Sequence, residues 1–259
     1  MFTDALEEFR SDWVLAGKAA SSVGCYLQLL KDFANHTSDA SLDDARSWVS
    51  AHPTSSMRRK RAQALRAFGK WSNDIGDNDF PWWDSVKVPL ERERSQPTAD
   101  ATDFTDALNR LNTRRDRALL GVLWGCGLRR SEVARLQVTD LNLHEQVLVV
   151  RTSKTGQPRV VPIPPTTCRL LRQHLRQHSG PAPFDLSPNG ISLMLRRHGI
   201  LPAHAWRRGW AVESLRRGVS ETSVRAAAGW SSGAMVARYT RARSFELAVA
   251  EFSRVWRDN

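Results

Sequence analysis

Apolar residues recur at helical spacing through about the first 75 positions. Phe2, Leu6, Phe9 and Trp13 form one stripe, and Tyr26, Leu29, Leu30 and Phe33 form a second, with Ser21 or Ser22 placed to cap that helix. Ser41 opens a third helix, which Pro53 closes. From Thr54 to Ser72 a fourth is expected, with Ala62, Leu65, Phe68 and Trp71 as its buried stripe. Arg58, Arg59, Lys60, Arg61, Arg66 and Lys70 crowd the rest of that helix, a nearly acid-free basic face that suits a DNA backbone.

Between Val86 and Asp103 the periodicity lapses into VKVPLERERSQPTADATD, which reads as a linker. Asp103 or Thr105 is then expected to start a helix, and DRALLGVLWGCG makes an apolar helix stopped by glycine. The period then changes to two. Gln146–Arg151 and Arg159–Ile163 predict two strands joined by TSKTGQP, with Gly156 and Pro158 at the turn. Everything from Pro165 onward predicts helices. The fold class expected is mainly α with a small antiparallel β-sheet, divided into a helical domain over 1–86, a linker over 87–102 and a second domain over 103–259.

The chain has 259 residues, of which 41% are hydrophobic, enough to bury a core in one large or two ordinary domains. Pervasive disorder is excluded. No apolar run approaches the roughly 20 residues of a membrane span, and the acidic start MFTDALEEFRSDW lacks a signal peptide's basic end, so a cytoplasmic protein with no membrane partner is expected. Cys25, Cys126 and Cys168 are odd in number and widely spaced, which argues against a disulfide framework or a cysteine-held metal. The net charge of +11 is uneven: residues 1–93 carry −2 and residues 94–259 carry +13, with arginine dominant. Arginine's planar fork matches phosphate oxygens, so a polyanion is the natural partner.

Five separated segments carry candidate chemistry. In GCGLRRSEVARL, Arg129 and Glu132 stand one helical turn apart. Lys154 lies at the hairpin tip. In HAWR, His204 and Arg207 project from one helical face. Trp230 follows the helix-stopping Gly229 and carries an indole N–H that needs a partner when buried. Tyr239 sits among Arg238, Arg241 and Arg243, surroundings that favour a phenolate and attract phosphate. Each feature alone has an ordinary structural explanation: a surface ion pair, an idle cation, a cap or a core anchor.

Their order is more specific. G-L-R-x-S-E, a hairpin lysine followed by R-x-V-P, then H-x-x-R, G-W-S-S and a tyrosine nine residues on closely resembles the tyrosine recombinase (phage integrase) family over about residues 95–245. The resemblance implies a core-binding domain, without an arm-binding domain, ahead of a catalytic domain whose active site is Arg129, Glu132, Lys154, His204, Arg207, Trp230 and Tyr239. It further implies attack by Tyr239 on DNA to give a 3′-phosphotyrosyl link, with no cofactor and no metal.

In that scheme Arg129 and Arg207 clamp the non-bridging oxygens, His204 is the base, Lys154 the acid, Trp230 an N–H donor and Glu132 an orienting group. The partners implied are double-stranded DNA, further copies of the chain in a tetramer on two DNA sites, and a directionality factor. The C-terminal RSFELAVAEFSRVWRDN has the helical pattern of a segment that the family passes to a neighbouring protomer. Phage or mobile-element integration at short core sites is the expected role. A type IB topoisomerase-like enzyme and a catalytically idle DNA-binding accessory factor are the alternatives.

Overall fold

The structure, a computed structural model, describes residues 2–37, 40–76, 81–90, 96–151, 158–234, 236–237 and 244–257. The chain divides into two compact units, residues 1–94 and 95–259.

The first unit is built from four helices, α1 (Phe2–Leu15), α2 (Ala20–Ala34), α3 (Leu42–Ala51) and α4 (Ser55–Asp74), followed by a 3₁₀ turn at Trp83–Ser85. The predicted apolar stripes meet at its centre, where Leu6, Phe9, Leu30, Phe33, Trp48, Leu65, Phe68 and Trp71 are buried. Phe9 stands edge-on to both Phe68 and Trp71, with ring centroids 5.4 Å apart in each pair. The Trp71 indole N–H is satisfied by the Asp12 carboxylate at 2.8 Å. Ser41 caps α3 as expected, in a capping box with Asp44. The start of α2 differs from expectation. That helix begins at Ala20 behind Ala19, with no side-chain cap, so Ser21 and Ser22 lie inside its first turn.

The second unit continues with α5 (Ala101–Arg110), α6 (Arg114–Gly125), the single turn α7 (Arg130–Val133), a 3₁₀ turn at Val138–Asp140, and strands β1 (Leu141–Asn142), β2 (Val147–Val150) and β3 (Arg159–Pro162). Helices α8 (Pro165–Leu175), α9 (Pro188–Arg197), α10 (Ala203–Arg216), α11 (Glu221–Ala228) and α12 (Ser244–Arg257) complete it. The mainly helical fold with one small sheet is therefore the expected one. The strands pair antiparallel in the order β1-β2-β3, with Leu148 opposite Val161 and Val150 opposite Arg159. Leu148, Val150 and Val161 turn inward, while Val149 and Val160 face solvent, as a half-buried sheet requires.

α6 is the central helix: Leu119, Leu120 and Leu123 are fully buried and pack with Leu128, Leu171, Ile191 and Trp206. α5 starts earlier than predicted, because Asp100 rather than Asp103 is the cap and Asp103 closes the capping box from N3. Residues at the end of the expected linker are already folded into this unit. Ala99 is buried and its N–H donates to the Ala205 carbonyl at 3.1 Å, and Arg208 Nε donates to the Pro97 carbonyl at 2.9 Å. On α12, Phe245, Val249, Phe252 and Trp256 are exposed.

Candidate active site

Three arginines from three different elements close on one buried carboxylate. Glu132, in α7, keeps 2% of its side chain exposed. The backbone N–H of Arg129, at the N-cap of α7, donates to its Oε2 at 2.8 Å, and Arg129 Nη1 donates to Oε1 at 2.8 Å. Arg159, the first residue of β3, forks onto the same group through Nη1 to Oε1 at 3.1 Å and Nη2 to Oε2 at 2.8 Å. Arg207 Nη1, on α10, lies 3.9 Å from Oε2. Burial alone would raise the Glu132 pKa, but the Arg159 and Arg129 donors outweigh it and hold the carboxyl below its ordinary value.

A second anchor faces the carboxylate. The last carbonyls of a helix have no partner within it and carry the negative end of its dipole. At the end of α11 three consecutive carbonyls each take a different guanidinium. Ala227 accepts from Arg159 Nε at 2.7 Å, Ala228 from Arg207 Nη2 at 2.6 Å, and Gly229 from Arg129 Nη2 at 3.5 Å. Gly229 makes this turn possible, since it ends the helix in the left-handed conformation with φ of 64°.

Arg207 is held from two further sides. Its Nη1 donates to the Gly127 carbonyl at 2.6 Å, and its Cζ lies 5.1 Å from the Trp230 ring centroid. Gly127 has φ of 59°, and a side chain there would collide with Trp210. Arg207 and Arg129 differ in access. The Arg207 side chain is 2% exposed, whereas that of Arg129 is 23% exposed and forms the open edge of the cluster. With three guanidiniums around one carboxylate, the cluster keeps a positive excess that suits an anion.

His204 lies one turn before Arg207 on α10 and is exposed. Partial desolvation, followed by the charges of Arg208, Arg207, Arg129 and Arg130, lowers its pKa below 6.5. The imidazole is thus neutral at pH 7 and available as a proton acceptor.

Of the seven residues nominated from sequence, the structure brings together Arg129, Glu132, Arg207 and Trp230, with His204 within electrostatic reach. Lys154 and Tyr239 lie outside the described residues. Arg159 was not nominated, although it stands first in the R-x-V-P segment, and its partners appear only on folding.

The basic face of α4 is mostly tied to its own unit. Arg58 Nε donates to the His52 carbonyl at 2.5 Å, Arg59 to Pro89 at 2.9 Å, Arg61 to Trp48 at 2.6 Å, and Arg66 to Asp84 at 2.6 Å. Arg61 and Arg66 also lie over the rings of Trp48 and Trp83. Lys60 and Lys70 are exposed.

Known proteins resemble this chain over most of its length. The phage integrase family matches residues 98–245. The chain is 25% identical to tyrosine recombinase XerA of Pyrococcus horikoshii over 269 residues, covering 96% of this chain and 92% of that one. It is 27% identical to tyrosine recombinase XerC of Chromobacterium violaceum over 211 residues, covering 76% and 68%. Among solved structures, a lambda integrase dimer bound to a COC′ core site shares the fold with a TM-score of 0.78 at 14% identity, over 92% of this chain and 76% of that one. The Tn1549 transposon integrase in complex with circular intermediate DNA matches with a TM-score of 0.70 at 17% identity, over 97% and 99%. The chain belongs to the phage integrase family. It is a tyrosine recombinase, an enzyme of the kind that cleaves and rejoins DNA.

Proposed function

We propose that this chain is a site-specific recombinase of a phage or mobile element, acting on short core sites through a 3′-phosphotyrosyl intermediate. Tyr239 Oη attacks the scissile phosphorus, the bond to the 5′-oxygen breaks, and the phenolic proton passes to His204. Lys154 supplies the proton that the departing 5′-oxygen takes up. A 5′-hydroxyl from a second strand then attacks the phosphotyrosine, restoring the phosphodiester and freeing Tyr239. Two transesterifications replace one hydrolysis and rejoining, so bond energy is conserved.

The observation that carries this reading is the gathering of Arg129 and Arg207 around Glu132, with Arg129 on the open edge. Charge fixed in advance beside a reacting phosphate is the largest contribution to this kind of catalysis. Arg129 meets the non-bridging oxygens first. Arg207, already aimed by the Gly127 and Ala228 carbonyls and packed on the Trp230 ring, adds its charge behind it, and the Trp230 indole N–H joins them.

The first unit grips the duplex as a core-binding domain, its affinity borne by phosphate contacts. Lys60 and Lys70 are the α4 cations turned to solvent. The working assembly is a tetramer on two DNA sites, with a directionality factor as a further partner. The exposed apolar residues of α12 support docking on a neighbouring copy, and lambda integrase forms a tetramer on a Holliday junction. No helix among the described residues is long and apolar enough to cross a membrane, in keeping with work on cytoplasmic DNA.

The test is a nicked suicide duplex bearing the site that the wild-type chain enriches from a randomised inverted-repeat library. Wild type traps a denaturation-resistant adduct, and Tyr239→Phe binds but traps nothing. An adduct persisting in Tyr239→Phe overturns the assignment. Strand exchange between two such duplexes separates a recombinase from a topoisomerase-like enzyme, which only relaxes supercoils.

A further inference from the structure

We propose that Arg159 is a positioning residue of the recombination reaction, which locks Glu132 and the end of α11 into one frame so that Arg129 and Arg207 face the scissile phosphate. This inference rests on the recombinase reading above. Arg159 comes from the sheet, yet its guanidinium reaches both halves of the arginine cluster: two donors go to Glu132 and Nε to the Ala227 carbonyl. Its side chain is only 9% exposed. Three of its five N–H donors are thereby spent inside the protein, which fits a strut better than a phosphate ligand.

The geometry explains why an arginine stands here. A buried carboxylate shared by three guanidiniums is stable only while its charge is divided among them. Without Arg159, Glu132 draws on the remaining two, and Arg207 Nη1, 3.9 Å away and bonded to the Gly127 carbonyl, is pulled toward it. That movement pulls positive charge back from the substrate side. The end of α11 loses its tie to β3 at the same time, although the next two carbonyls, of Ala228 and Gly229, set the directions of Arg207 and Arg129. Lysine has one ammonium and no fork, so it keeps a charge beside Glu132 but cannot span to Ala227 as well. Gly229 preserves the space, since a side chain there would stand 3.2 Å from Arg159 Cδ.

The experiment uses the full chain and the selected nicked duplex described above, measuring single-turnover adduct formation and Kd on the same DNA. Arg159→Ala is expected to cut the cleavage rate by about 100-fold while Kd stays within about threefold of wild type, a loss confined to the transition state. Arg159→Lys recovers part of the rate, to roughly a tenth of wild type, at wild-type affinity. Adding Glu132→Gln to Arg159→Ala lowers the rate by less than about threefold more, because the pair acts as one unit. A rate in Arg159→Ala within about threefold of wild type overturns the inference. So does Arg159→Lys losing affinity by the same factor as rate, and this variant carries the comparison if Arg159→Ala melts below the assay temperature. Absence of any Tyr239-dependent adduct in wild type overturns the recombinase reading itself, and the role of Arg159 falls with it.

Discussion

Arg207 donates through Nη2 to the carbonyl of Ala228 at 2.6 Å, so that a guanidinium on α10 is aimed by the last turn of α11. Side chains of this length lose much rotamer freedom when fixed, and here the loss is met during folding rather than on DNA. A cation aligned before substrate arrives needs no reorganisation at the moment of reaction.

Glu132 is the hinge of that arrangement, and its removal should unfold more than it disables. Glu132→Ala leaves the guanidiniums of Arg159 and Arg207 buried without their carboxylate, a loss of about 3–5 kcal/mol by analogy with broken buried pairs. Urea denaturation at pH 7 checks this. Glu132→Gln keeps the side-chain volume and one accepting oxygen, so it is expected to cost less than the alanine.

Acid stability follows from the same carboxylate. Its pKa in the folded chain lies below the ordinary 4.5, so under acid conditions the unfolded chain binds the extra proton. The stabilisation from Glu132 is whole above pH 4.5 and is lost as pH falls through that value toward the folded pKa. Comparing wild type with Glu132→Gln between pH 3 and pH 7 should show a shallower acid loss in the variant; parallel curves would contradict the assignment.

His204 gives a second pH signature with a definite sign. Partial desolvation first, and Arg208 next, depress its pKa below 6.5. Arg208→Ala removes one of the nearby positive charges, so protonation becomes easier and the acid limb of the cleavage-rate profile moves to higher pH. The rate at pH 6 should fall relative to that at pH 8. An unmoved limb would exclude His204 as the titrating base.

Gly229→Ala should be costly in two ways. The left-handed conformation costs a non-glycine residue roughly 1–2 kcal/mol, and the added methyl group would press on Arg159 at 3.2 Å. Thermal melting is expected to register the first effect, and suicide-duplex cleavage a loss beyond what melting explains.

On α4, the cations separate by environment. Lys60→Ala and Lys70→Ala should each reduce the salt slope of DNA binding by about 1 with melting unchanged. Arg61→Ala removes the bond to the Trp48 carbonyl and the stacking on its ring, 4.4 Å away, and should lower stability by about 1 kcal/mol. Salt titrations and melts of the three variants decide between a DNA-facing and an internal role for each position.

Much of this was legible in the chain because it is local. The stripes Leu6–Phe9 and Leu29–Leu30–Phe33 follow the helical period, and the alternation in β2 and β3 follows the pleat. Arg129 and Glu132 are three residues apart on one turn, so their pairing could be anticipated. What escaped is non-local. Arg159 meets Glu132 across 27 residues and Ala227 across 68, and no spacing rule reaches that far. The arginines of α4 were hidden for another reason: a charge pattern shows a basic face but not that its guanidiniums bind backbone carbonyls such as that of Pro89. The start of α5 moved to Asp100 because Asp103, expected near the cap, is the residue that bonds back to it.

Each compact unit encloses its own oily interior. The two interiors share no residue, so an exchange of gene segments near residue 94 cuts through neither. Such a chain lends itself to grafting: a helical front half from one relative joined to the second half of another, with each interior kept whole.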